Sequence, residues 1–239
     1  MIRTIWVVIN VIVATVPLSL LVVAGSLVRA SPRFYDAIPR WWGRWLLWAS
    51  GVHVEVIGAE NLSRDRAQII VANHVSWYDV LALAAHTPKR YRFVAKKELA
   101  RVPLWGRAWQ SAGHISVDRT DRQRAVASLD RAGLTIREDN SSIIIFPEGT
   151  RSATGELQSF KKGAFVLALH NGIDIVPTAV LGTHRILSRD SWRVRSGRII
   201  VRYGPPVSME GRDPDHRDEL IARVRSDIER LLTVPAQDS

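Results

Sequence analysis

The chain contains no cysteine. That absence excludes disulfide frameworks, cysteine zinc sites, iron–sulfur clusters and thiol nucleophiles together. The histidines at 53, 74, 86, 114, 170, 184 and 216 form no His-Glu-x-x-His spacing, so no metal site is expected. Negative charge is in short supply: 33 Lys and Arg face 23 Asp and Glu, a net charge of +10. No helix-turn-helix, zinc-finger or RNP pattern accompanies that excess, which argues against nucleic acid as a partner. An anionic membrane surface or a phosphorylated substrate fits the charge better. No internal repeat and no low-complexity linker divides the chain. Its 239 residues, 46% apolar and 23% charged, suit one folded domain with an appendage.

Charge is also missing locally. Thr4 to Val28 is an uncharged run of 25 residues. As a helix it reaches roughly 37 Å at about 1.5 Å per residue, longer than a hydrocarbon core of about 30 Å. A secretory signal would have a shorter apolar region and a cleaner cleavage site, and a buried soluble helix of this length is uncommon. The run predicts a tilted span or deep insertion, although Asn10 and Pro17 interrupt it and a kink at Pro17 would make it re-entrant. Arg29, Arg33, Arg40 and Arg44 follow, opposed only by Asp36, which places the rest of the chain on the cytoplasmic side. Four of the nine Trp then fall within residues 41–48. On a helix Trp41, Trp45 and Trp48 share one narrow face, which suits either a headgroup boundary or a core stripe; the adjoining apolar run favours the boundary. Residues 1–50 are therefore expected to form a membrane-anchoring helical segment with an interfacial Trp helix, and 51–239 a separate folded domain.

The remaining residues read as an α/β domain. Strands are expected at 52–58, 68–73, 91–95, 114–117, 142–146, 174–182 and 198–204. Helices are expected at 77–86, from Pro103 through Trp109 to Gly113, and at 163–172, where Gly172 closes the helix. Another should follow a capping box at Thr120 and Gln123, with Ala125, Val126, Leu129, Ala132 and Ile136 on one face. A C-terminal helix should bury Ile221, Val224, Ile228 and Leu231. Alternating elements of this kind give a mostly parallel central sheet covered by helices.

Ligands in such sheets bind beyond the carboxyl ends of the strands, where this chain carries three polar clusters. In NHVSWYD (73–79), His74 and Asp79 are placed so that a turn into a helix returns the carboxylate to the imidazole. That pair is either a general base oriented by a carboxylate, or a structural histidine beside a helix cap. There is no G-x-S-x-G elbow to make Ser76 a nucleophile, so a base here would act on a substrate hydroxyl. FPEGTRS (146–152) follows the strand at 142–146. Gly149 permits close backbone approach and Arg151 offers a planar fork to phosphate, although a plain turn with a surface ion pair has the same composition. The third cluster is Val117-Asp118-Arg119, another arginine at a strand end.

Taken together, these clusters resemble the 1-acylglycerol-3-phosphate O-acyltransferase (lysophosphatidic acid acyltransferase) family. The H-x4-D block is matched by His74 to Asp79, and the block ending in an acidic–Arg pair by GHISVDR (113–119), with Ser116-Val117 where members often have Phe-Ile. FPEGTRS is matched at every position, a Val-Pro block by Val176-Pro177, and the Lys-bearing stretch by AKKEL (95–99). The likeness runs from about residue 50 to 205. It implies that His74, oriented by Asp79, deprotonates the free hydroxyl of a lysophospholipid, which attacks the thioester of acyl-CoA or acyl-carrier protein as co-substrate. No other cofactor is implied. It further implies that Arg119 and Arg151, with Lys96 or Lys97, hold the substrate phosphate. Glu148, Gly149 and Thr150 would then shape the glycerol-phosphate pocket. Glycerol-3-phosphate, another lysophospholipid or a lyso-ornithine lipid are alternative acceptors, and a thioesterase would use similar residues.

Overall fold

The computed structural model describes residues 1–118, 128 and 132–234. Its centre is a seven-stranded sheet in the order β1-β7-β6-β2-β5-β3-β4. The strands are β1 (Val52–Ile57), β2 (Ile69–Ala72), β3 (Tyr91–Lys96), β4 (Ile115–Val117), β5 (Ser142–Ile145), β6 (Ile175–Leu181) and β7 (Gly197–Tyr203). All neighbours are parallel except β6 and β7, so β1 and β7 run against the rest. The carboxyl ends of β2, β3, β4, β5 and β6 therefore open on one edge.

Strand alternation divides the core between two layers. Ile70, Ala72 and Ile144 face the layer of α2 (Pro32–Ala49) and α3 (Trp77–His86). Ile69, Val71, Ile143 and Ile145 face α6 (Gly163–Asn171), α8 (Arg217–Thr233) and the helix at 132–138, here α5. Ala132 and Ile136 are buried in that rear layer. The capping box at Thr120 and Gln123, and Ala125, Val126 and Leu129, lie outside the described residues. In α8 the buried stripe is Leu220, Val224 and Ile228, with Ile221 and Leu231 only half-buried at its margin. α4 (Trp105–Ser111) begins after Leu104 rather than at Pro103, because residues 97–101 already form a 3₁₀ turn. A short helix, α7 (Thr183–Ile186), follows β6.

The N-terminal helix, α1 (Ile2–Leu27), is long and apolar enough to cross a membrane, with a mean hydropathy of 2.6. One side of it packs against the domain. Thr4, Val7, Asn10, Ala14, Ser19, Val22 and Gly25 form a buried stripe along its whole length. Its polar groups point inward: Arg3 Nη1 donates to Ser50 O at 3.0 Å, Trp45 Nε1 to Asn10 Oδ1 at 2.9 Å, and Trp42 Nε1 to Thr15 Oγ1 at 3.0 Å. Ile2, Ile5, Val8, Ile9, Ile12, Val13 and Val16 face outward. The helix lies along the domain, apolar side out, an arrangement that suits the expected tilted span and a deep insertion equally. Beside it α2 exposes Trp41, Trp45 and Trp48 and turns Trp42 inward. It approaches α3 so closely at Gly43 that a Cβ there would sit 2.9 Å from Leu81 O.

Candidate active site

The site forms where β2, β5, β3 and β4 end together. Asn73 closes β2 by a double contact with β6: its Oδ1 accepts from Val180 N at 2.7 Å and its Nδ2 donates to Val180 O at 3.0 Å. The chain then turns into α3, with Ser76 as N-cap; its Oγ accepts from Tyr78 N and donates to Leu187 O at 2.6 Å. Asp79, fully buried, closes the capping box: its Oδ2 accepts from Val75 N at 2.7 Å and Ser76 N at 2.8 Å. The same oxygen lies 2.9 Å from His74 Nδ1. Cap and orienting carboxylate, alternatives in the sequence, are one residue doing both. A carboxylate that accepts already from backbone fixes the proton on Nδ1, assigned from this network, and leaves Nε2 as the basic nitrogen. Phe146 stacks on the imidazole at 4.1 Å and 17° and holds its plane.

FPEGTRS supports this turn from β5. Glu148 Oε1 accepts from His74 N at 2.6 Å, while Oε2 accepts from Gln158 N at 3.0 Å and Gln158 Nε2 at 3.2 Å. Ser152 N donates to His74 O at 2.8 Å. Burial raises the Glu148 carboxyl above its ordinary pKa, and these donors oppose the rise. Glu148 was expected in the substrate pocket. The structure turns it back into the protein, where it anchors the histidine's backbone, because a buried carboxylate is tolerated only when donors converge on it. Gly149 has φ +73°, and a Cβ there would meet Lys161 Cε at 2.8 Å, so this turn requires glycine. Arg151 lies over the Trp77 ring at 5.3 Å, and its carbonyl accepts from Arg189 at 2.9 Å. Burial first, then the Arg189 guanidinium, lowers its pKa.

His74, Gly149, Thr150, Arg151 and Lys96 border one cavity of about 390 Å³. Away from these residues the walls are mainly apolar: Phe93, Trp105, Ala108, Trp109 and Ala112 from the domain, Ile38 and Trp42 from α2, and Leu18 and Val22 from α1, with Thr15, Ser19 and Glu98 as the polar exceptions. His114 also borders it, between Phe93 and Trp109; burial, then Arg92, lowers its pKa to about 3. Lys97 is bound to Asp118 at 2.6 Å. Arg119 lies outside the described residues. Sequence reading missed Asn73, Phe146 and Trp77, whose roles depend on long-range neighbours, and did not foresee that α1, expected as a membrane anchor, also lines the cavity.

A mostly parallel α/β sheet carries a carboxylate-oriented histidine at its strand ends, facing a cavity that is polar around that histidine and mainly apolar beyond it; this is the architecture of an α/β acyltransferase. The acyltransferase profile matches residues 53–181, and the chain belongs to the acyltransferase family. Among its relatives, the 1-acyl-sn-glycerol-3-phosphate acyltransferase of Limnanthes alba is 37% identical over 80% of this chain and 67% of its own length. That of Haemophilus influenzae is 30% identical over 84% of this chain and 83% of its own. That of Cocos nucifera is 38% identical over 70% of this chain, which spans about half, 54%, of the coconut protein. The crystal structure of the 1-acyl-sn-glycerophosphate (LPA) acyltransferase from Thermotoga maritima shares the fold, with a TM-score of 0.83 over 99% of this chain and 97% of that one, at 23% identity.

Proposed function

We propose that this protein transfers a fatty acyl group from acyl-CoA or acyl-carrier protein to the free sn-2 hydroxyl of 1-acylglycerol-3-phosphate, giving phosphatidic acid. The observation that carries this reading is the single cavity that joins the free edge of His74 to apolar walls on one side and to Arg151 and Lys96 on the other. His74 Nε2 takes the hydroxyl proton as the oxygen attacks the thioester carbonyl. The tetrahedral intermediate collapses with C–S cleavage, and the imidazolium returns the proton to the leaving thiolate. Asp79 stabilises that imidazolium and keeps its tautomer. Arg151 and Lys96, with Arg119 of the GHISVDR block, supply the charge that holds the acceptor phosphate. The apolar walls receive an acyl chain, which is how α1 enters the chemistry. Glu148 acts through His74, by fixing its backbone. The relatives' names, all lysophosphatidate acyltransferases, support this acceptor over glycerol-3-phosphate, other lysophospholipids and lyso-ornithine lipids.

We infer that the outward apolar faces of α1 and α2 lie against a bilayer; Arg29, Arg33, Arg40 and Arg44, which follow the apolar run, support the cytoplasmic side. The acceptor then reaches the cavity without crossing water. An acceptor panel with one labelled acyl-CoA, run on purified full-length protein, tests the reading. Phosphatidate should dominate, and preferential acylation of glycerol-3-phosphate or a lyso-ornithine lipid would replace the proposed acceptor.

A further inference from the structure

The segment between β6 and β7 carries a basic–aromatic pattern that the transfer reaction does not use. Arg185, Arg189, Arg193 and Arg195 are all exposed, and Trp192 is 66% exposed. The segment's one acidic residue, Asp190, is paired with Arg189 at 3.7 Å, whereas Arg185, Arg193 and Arg195 have no ion-pair partner among the described residues. The backbone is ordered around them: Leu187 N donates to Thr183 O at 3.0 Å and Arg195 N to Ile186 O at 2.9 Å. Its two ends reach different places. Val194 N donates to Thr4 Oγ1 of α1 at 3.1 Å, next to the outward Ile2 and Ile5. Leu187 O accepts from Ser76 beside the catalytic turn, and Arg189 holds Arg151 O.

We propose that residues 183–196 form a second membrane contact, one that binds the phosphate groups of anionic lipids at the bilayer surface. Arginine forks suit phosphate oxygens, and a Trp with an apolar body and one N–H donor suits the headgroup level. The segment is tied to the first turn of α1 through Thr4 on that helix's inward side, one residue from the exposed Ile5, so one bilayer, anionic at its surface and apolar beneath, can cover both. An acidic protein partner would match the arginines and leave the α1 face uncovered. The contact sets the polar end of the cavity beside the headgroup layer through Arg189 and Ser76. This inference rests on the reading of α1 as bilayer-facing.

The absence of cysteine makes the test site-specific. In the full-length protein, Ser191→Cys and, separately, Ile9→Cys carry a nitroxide, and access of a water-soluble relaxation agent is measured with vesicles of phosphatidylcholine alone or mixed with phosphatidylglycerol. The Ile9 label should be shielded with both vesicles, and the Ser191 label only with phosphatidylglycerol present. Each arginine near an anionic surface contributes about fivefold to partitioning, so removing three should weaken it on the order of a hundredfold. Arg185→Gln/Arg193→Gln/Arg195→Gln should therefore abolish the shielding at 191 while leaving that at 9. A Ser191 label open to water beside anionic lipid, with the Ile9 label shielded, overturns the second contact alone. If both labels stay in water, the α1 reading falls with it. Shielding at 191 by acidic carrier protein without vesicles would assign the segment to a protein partner instead.

Discussion

The two faces of the sheet use alternate residues of the same strands and are packed to different ends. Behind it, α5, α6 and α8 close a solid core in which Phe165, Leu167, Leu220, Val224 and Ile228 are essentially inaccessible. In front, α3 and α4 offer alanines (Ala82, Ala84, Ala85, Ala108, Ala112), and the space they leave is bounded by aromatic rings and α1. α8 and α1 show the same contrast in their patterning. α8 turns apolar residues in and charges out, whereas α1 turns Arg3, Thr4, Asn10 and Thr15 toward the domain and its isoleucines and valines outward. The solid rear holds the strand ends rigid, so that the front can keep a cavity open beside His74. Substitutions should separate accordingly, into loss of chemistry in front and loss of stability behind.

The largest effect should be at the histidine. His74→Ala removes the general base and should cost about 10²–10⁴-fold in kcat, with an unfolding midpoint close to wild type. Asp79→Asn should lower turnover similarly, because one amide must both accept the cap N–H groups and fit an NH₂ where Asp79 Oδ1 is buried without a partner. It should also reduce stability, since the cap is weakened. Turnover near wild type in His74→Ala would erase the distinction between the faces.

Behind the sheet, Phe165→Ala empties a fully buried position and should destabilise by about 3–5 kcal/mol in denaturant unfolding. The molecules still folded should keep the wild-type Michaelis constants. A changed acceptor constant in that variant would mean that the rear core shapes the site directly.

Arg151→Lys sharpens the comparison within the front. Lysine keeps the charge but loses the fork and the stacking on Trp77. The Michaelis constant for lysophosphatidate should rise more than that for the thioester, and equal rises would remove Arg151 from the acceptor site.

At neutral pH the least visible effect is a pH dependence, which develops only on acidification. His114 in the folded state titrates near 3, below its ordinary 6.5, because it is buried and faces Arg92. Between those values the unfolded chain binds the extra proton, so stability should fall as pH drops from about 6.5 toward 3. His114→Gln keeps an acceptor for Phe93 N and should show a shallower decline in thermal unfolding across that window.

Much of this was legible from sequence where the signal is local. β5 and β6 were placed to within a residue because β-branched runs between polar turns have few other readings, and Gly172, with φ +57°, ends α6 as its position suggested. His74 and Asp79 were legible because a helix start brings residues five apart together. What failed depends on distant contacts. Nothing local in Glu148 says that its carboxylate turns toward His74 N, and no periodicity reports that β7 runs antiparallel to β6. The apolar content of α1 was legible, but its inward polar contacts were not, because their partners Trp42, Trp45 and Ser50 are remote in sequence.

The central claim is that the cavity brings an acyl thioester and a lipid hydroxyl to one histidine. Thiol release by the wild-type, full-length protein, followed with and without lysophosphatidate on zwitterionic vesicles, tests it most directly. The account predicts release that depends on the acceptor and matches phosphatidate formed, mole for mole. Release that proceeds undiminished without acceptor, yielding free fatty acid, would contradict it and make the protein a hydrolase.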